Sequence, residues 1–210
     1  IFDFDYTLAD TSRGAMECIN FSLDSLGLPV ASYEAVCKTI GMSLPDTFYT
    51  LGGKEDKAQA DEFIHYFKKR ADEVMEELSF IYEPVPAVTR RLKENGLSLG
   101  IVSTKFRYRI EAILNREKLL DAFDVIIGGE DVSNQKPDPT GLKTAIKRLG
   151  TSNARTLYVG DSIIDSQTAA RAKIPFAATL SGVTERREFD KYNFRKVAKD
   201  LYELTDWLLK

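Results

Sequence analysis

The chain of 210 residues contains only two cysteines, one histidine and one tryptophan, and no apolar run long enough to cross a bilayer. Cys18 and Cys37 lie far apart and lack metal-ligand neighbours, which excludes a disulfide framework and a zinc cluster and fits reduced core residues in a cytoplasmic protein. Charge of one sign is missing too: 29 Lys and Arg face 32 Asp and Glu, a net of −3. There is then no basic field for nucleic acid or for an anionic membrane, and any anionic partner must be caught by local groups. Nothing reads as a signal peptide, although Ile1 is not a natural start and a few residues are expected upstream. No internal repeat or low-complexity tract is present. The remaining composition, 43% hydrophobic and 29% charged, is that of a globular chain long enough for one substantial core and a modest inserted domain.

The hydrophobic pattern changes character along the chain. From Gly14 to Phe80 it has helical period, with Met16, Ile19, Leu23 and Leu26 on one stripe and Phe63, Ile64, Phe67, Ala71, Val74, Met75 and Leu78 on another. From Pro84 onward short apolar runs alternate with helical stretches. The spacing predicts strands in LSLGIVST, VIIG, TLYVG and PFAATL, and helices over residues 85–95, 109–116, 142–149, 164–173 and 202–209. Strands apolar on both faces and separated by single helices imply a parallel sheet covered on both sides. The opening IFDFD joins it as another parallel strand, and the helical region becomes an insertion after that strand. The expected division is a core of residues 1–13 and 82–210 around an inserted unit of residues 14–81.

Open parallel sheets bind ligands beyond the carboxyl ends of their strands. Those ends carry Asp3 and Asp5, then Ser103 and Thr104, then Asp161 and Asp165 of GDSIID, with Lys136 of QKPDP in the loop after VIIG. Singly, each has an ordinary explanation: a turn, a helix cap or a solvated lysine. Together they crowd acids at one edge, and Asp3 and Asp5 share the same parity, so a regular strand does not separate them. A divalent cation makes such crowding tolerable, because hard carboxylate and carbonyl oxygens, water and a substrate phosphate complete a Mg²⁺ octahedron.

In this order DFDYT, VST, KPDP and GDSIID resemble the four motifs of the haloacid dehalogenase superfamily, and the chain is most similar to its phosphoglycolate phosphatase-like branch of small-molecule phosphatases. The resemblance covers nearly the whole chain. It implies an α/β fold, a Rossmann-like parallel sheet core with an inserted all-helical cap domain, and Mg²⁺-dependent hydrolysis of a small phosphorylated metabolite by a monomer or small homo-oligomer. It further implies Asp3 as nucleophile, Asp5 as general acid and base, and Lys136 as the cation that offsets the charge of nucleophile and phosphate. Ser103, Thr104 and Lys136 would bind the phosphoryl group, with Gly41, Met42 and Ser43 of the cap contacting the rest of the substrate. The metal set is Asp3, Asp5, Asp161 and Asp165, in which a backbone carbonyl of the first loop joins the carboxylates and Asp165 acts at one remove. Thr7 would brace the first loop, and Gly160 would allow close backbone approach.

Retention of Asp5 argues for an oxygen leaving group, since dehalogenases and phosphonoacetaldehyde hydrolases of the superfamily replace it. The first motif departs from the pattern at Tyr6, where glycine is usual, so the turn is made without glycine's freedom at positive φ. Packing is the favoured role for that side chain. The nearest alternative reaction is that of a phosphosugar mutase of the β-phosphoglucomutase type. Those enzymes carry a histidine and a cation where this chain has Ala15 and Leu44, and His65 falls within a helical pattern as a structural residue. A pyrophosphatase or nucleotide phosphatase differs mainly in cap contacts. A non-catalytic phosphate-binding module is the least favoured reading, because no core motif has decayed.

Overall fold

The opening apolar residues lie at the centre of a parallel sheet. In the computed structural model, which describes residues 1–53 and 56–210, the strands are β1 (Ala9–Asp10), β2 (Phe80–Ile81), β3 (Gly100–Val102), β4 (Val125–Ile127), β5 (Tyr158–Gly160), β6 (Phe176–Thr179) and β7 (Lys196–Ala198). Phe2 bridges Ile101 on one side and Val159 on the other, both in parallel. The sheet order is therefore β4, β3, residues 1–3, β5, β6, β7, parallel throughout. β1 and β2 form a separate two-stranded ribbon.

Strand periodicity sorts the apolar residues into two layers. Phe2, Ile101, Ile126, Val159 and Ala177 pack with α5 (Val85–Glu94), α6 (Arg107–Arg116) and α9 (Leu201–Leu208). Their neighbours Ile1, Val102, Ile127, Tyr158 and Phe176 pack on the other face with α7 (Thr140–Arg148) and α8 (Ile163–Ala172). Each large side chain buried this way stabilises by about 1.5–3 kcal/mol. The middle of every strand is consequently closed to polar groups, and chemistry is confined to the ends.

Two compact units result, Ile1–Ala9 with Ile81–Lys210, and Asp10–Phe80. The first division falls between Ala9 and Asp10, within β1, where the expected boundary lay after residue 13. The second unit contains α1 (Ser12–Ser25), α2 (Tyr33–Cys37), α3 (Leu44–Thr50) and α4 (Lys57–Val74). Ser32, Ser43 and Asp56 start the last three by accepting backbone N–H bonds. Its core joins Ile19 and Leu23 of α1 to Phe63, Phe67 and Ala71 of α4, with Phe48 of α3 against Phe63, and both cysteines are buried in this unit. His65 is exposed on α4 beside Tyr66. Among the described residues no helix is long and apolar enough to cross a membrane.

The architecture is the α/β, Rossmann-like sheet with an inserted helical unit. The ribbon of β1 and β2 and the edge strand β7 are the elements the sequence pattern does not announce. All are two or three residues long, and Lys196 with Arg195 makes β7 look like a charged loop. Short, charged edge strands are ordinary protection against edge-to-edge pairing.

Candidate active site

Asp3 ends the central strand and shares parity with Ile1, which points it to the layer of α7 and α8. There its Oδ2 meets Lys136 Nζ at 2.8 Å, and the same ammonium donates to Asp165 Oδ1 at 2.7 Å. Asp5 escapes the parity problem because the strand has ended before it. The chain folds back at once, with Tyr6 N–H donating to the Ala9 carbonyl and Leu8 N–H to that of Phe4. Tyr6 takes the left-handed conformation, φ 59°, that the missing glycine would have supplied, and its side chain is buried. This turn sends the Asp5 carboxylate to Lys105, Nζ to Oδ1 3.0 Å.

The parallel register brings the other strand ends to the same edge. Ser103 follows β3, pairs its N–H with the Ile127 carbonyl and is buried; Thr104 follows it, half-buried. Asp161 follows β5, and its Oδ1 accepts the Thr7 hydroxyl at 2.9 Å, so Thr7 braces the first loop against the fourth motif. Asp165 closes a capping box with Ser162 at the start of α8. Its Oδ1 accepts from Lys136 and from the Tyr158 hydroxyl, and its Oδ2 from the Ser162 hydroxyl and N–H. All four acceptor positions of that carboxylate are thereby used by protein donors. Gly160 has no room for a side chain, since a Cβ would stand 2.4 Å from Asp165 Cγ.

Asp3, Asp161 and Asp165 offer oxygens that lie within 4.8 Å of one another. The Asp5 carboxylate is not in this group, because the turn at Tyr6 directs it to Lys105; the carbonyl of the first loop would be a separate ligand. Gly41, Met42 and Ser43 belong to the helical unit, where Gly41 has φ 92° and Ser43 caps α3 by accepting the Asp46 N–H. Lys105, Tyr158 and Gly182 join the site from outside the motif positions. Lys105 directly follows the Ser-Thr pair and was the legible signal; Tyr158 reads as an ordinary strand aromatic.

Electrostatics bear on whether a metal fits. Burial raises the Asp3 carboxyl to about 7; Lys136 opposes this, while the charges of Asp165 and Asp5 add to it. Asp161 is held well above the usual carboxylate range by burial and by Asp165 and Asp3. Burial alone would lower Lys136, but Asp165 and Asp3 outweigh it and raise it. One ammonium thus faces three clustered carboxylates, 3 − 1 = 2 negative charges in excess when all are ionised. Asp3 Oδ1 is buried and has no hydrogen-bond partner among the described residues. An orphaned carboxylate oxygen in a cluster short of two positive charges fits a hard divalent cation.

Residues 1–179 match the family described as haloacid dehalogenase-like hydrolase. A phosphoglycolate phosphatase of Salmonella typhi is 33% identical over 202 residues, covering 86% of this chain and 80% of that protein. Pyrophosphatase PpaX of Bacillus cereus is 34% identical over 189 residues, covering 87% and 84%. Among solved structures, a protein of Bacteroides fragilis described as a haloacid dehalogenase-like hydrolase superposes with a TM-score of 0.94 at 39% identity over 97% of each chain.

Proposed function

Since the chain belongs to the haloacid dehalogenase-like hydrolase family and is a phosphatase, we propose that it hydrolyses a small phosphate monoester of the phosphoglycolate kind, with Mg²⁺, through an aspartyl-phosphate on Asp3. The observation that carries this reading is the buried Oδ1 of Asp3, unpartnered among the described residues, in a carboxylate whose other oxygen is held by Lys136. An oxygen left without a donor amid excess negative charge is the one Mg²⁺ would neutralise, while Lys136 fixes the carboxylate that attacks.

Asp3 attacks phosphorus, the bond from phosphorus to the alkoxide oxygen breaks, and Asp5 gives that oxygen a proton. In the second half Asp5 takes a proton from water, the water oxygen bonds to phosphorus, and the bond to Asp3 breaks to release inorganic phosphate. Lys136, fixed by Asp165 and Tyr158, offsets the charge of nucleophile and phosphoryl oxygens, which Ser103 and the Thr104 backbone would bind. Asp3 and Asp161, with a carbonyl of the first loop, would hold Mg²⁺, which supplies Lewis-acid withdrawal of charge from the phosphoryl group. Asp165 has its acceptors filled and serves by orienting Lys136. The helical unit, through Gly41, Met42 and Ser43, would set which ester is accepted.

A pyrophosphatase is the second reading, favoured by a likeness to PpaX as close as that to the phosphoglycolate phosphatase. Phosphate release from phosphoglycolate, pyrophosphate, sugar phosphates and nucleoside monophosphates, with Mg²⁺ or with chelator, separates the two. We expect metal-dependent release, greatest with phosphoglycolate, that disappears in Asp3→Asn. Preference for pyrophosphate would exchange the readings, and release undiminished in Asp3→Asn would sink both.

A further inference from the structure

We propose that Lys105 is a positioning residue that holds the Asp5 carboxylate in the orientation from which it exchanges protons with the leaving oxygen and with water. This rests on the phosphatase mechanism above and adds to it a residue outside the four motifs.

The geometry has three parts. Lys105 Nζ stands 3.0 Å from Asp5 Oδ1, and both side chains are only 8% exposed, so the pair is little screened by solvent. Asp5 Oδ1 nevertheless has no hydrogen-bond partner among the described residues. The ammonium therefore attracts the carboxylate from off its hydrogen-bonding directions and leaves its lone pairs for a proton. Finally, the base of Lys105 is fixed: its N–H donates to Ser103 Oγ at 3.3 Å, and its carbonyl accepts the Gly129 N–H at 3.0 Å. Gly129 lies so close under this loop that a Cβ there would stand 2.3 Å from the Thr104 carbonyl oxygen.

The two lysines divide the two acids of the first motif. Lys136 is committed to Asp3 and Asp165, and Lys105 to Asp5. Asp3, two residues away, carries a like charge that interacts with Asp5 and repels it. A misplaced proton donor loses most where the leaving group needs its proton most.

Steady-state kinetics with Mg²⁺ would compare wild type, Lys105→Met, Lys105→Arg, Asp5→Asn and the Asp5→Asn, Lys105→Met double variant on phosphoglycolate and on 4-nitrophenyl phosphate, whose leaving group needs no proton. We expect Lys105→Met to lower kcat on phosphoglycolate about 100-fold and on the aryl ester by under about threefold, with KM unchanged. Lys105→Arg should restore most of the loss, and Lys105→Met should add nothing in the Asp5→Asn background. Equal loss on both esters, a loss confined to KM, or a further loss in the Asp5→Asn background would overturn the proposal in favour of substrate binding or a merely structural role. If Lys105→Met does not fold, by circular dichroism, the same comparison is made with Lys105→Gln. Wild type inactive on both esters would overturn the phosphate-monoester reading and this one with it, whereas active wild type with any of the contrary patterns overturns this one alone.

Discussion

Tyr6 occupies a backbone conformation that costs a residue with a Cβ about 1 kcal/mol relative to glycine. It is tolerated because the ring is buried, 7% exposed, and burial of an aromatic of this size is worth about 3–5 kcal/mol against its truncation. The larger effect decides the sign. Tyr6→Gly should therefore lower stability by about 2–4 kcal/mol even though it relieves the turn, read as a lower urea midpoint at unchanged slope. A higher midpoint would mean that the ring contributes little and that backbone strain outweighs its burial at this position.

At the scale of elements, the site depends on loops approaching side chains more closely than a Cβ permits. The loop after β6 passes Asp161 so closely that a Cβ on Gly182 would stand 2.0 Å from Asp161 Oδ2. Thr7 holds the other oxygen of that carboxylate. Gly182→Ala should thus turn Asp161 away or push the loop back, and we expect Mg²⁺ affinity, by calorimetry on the variant, to fall about 10–100-fold. Unchanged affinity would show that Asp161 Oδ2 is not a ligand atom. The sheet itself explains why such loops matter: six parallel segments bring their carboxyl ends to one edge, and the apolar strand interiors leave nowhere else for polar groups.

For the molecule as a whole, the acid cluster links stability to pH and metal. Asp3 is raised from the ordinary aspartate value to about 7, so between about pH 4 and pH 7 the folded metal-free protein keeps a proton that the unfolded chain gives up. Stability then falls as pH rises through that window, by an amount on the order of a few kcal/mol, and Asp161 acts in the same direction. Lys136, raised, affects only alkaline pH. Surface acids held low by lysines, such as Asp124 and Glu203, act in the opposite sense and only at the acid edge of that window. With chelator, the melting temperature should drop from pH 5 to pH 7.5; saturating Mg²⁺ should abolish the drop, because binding to the folded state alone stabilises it. A chelated protein that gained stability over this range would show that Lys136 already suffices for the cluster.

Much of this was determined by the sequence. Alternating apolar runs and helical stretches specify a covered parallel sheet because periods of two and 3.6 bury different faces, and the order of Asp3, Ser103, Lys136 and Asp161 along the chain specifies a shared edge once the strands are parallel. The helical insertion is equally legible in the stripe from Phe63 to Met75. Tertiary structure decided what periodicity carries no information about. The turn at Tyr6 separates Asp3 from Asp5, although their spacing makes them look alike. Hydrogen bonding in three dimensions fills the acceptors of Asp165 while leaving Asp3 Oδ1 bare among the described residues, and ion pairing assigns one lysine to each acid of the first motif. Lys105 and Asp5 are a hundred residues apart in the chain, and only parallel packing of the first strand beside β3 makes them neighbours.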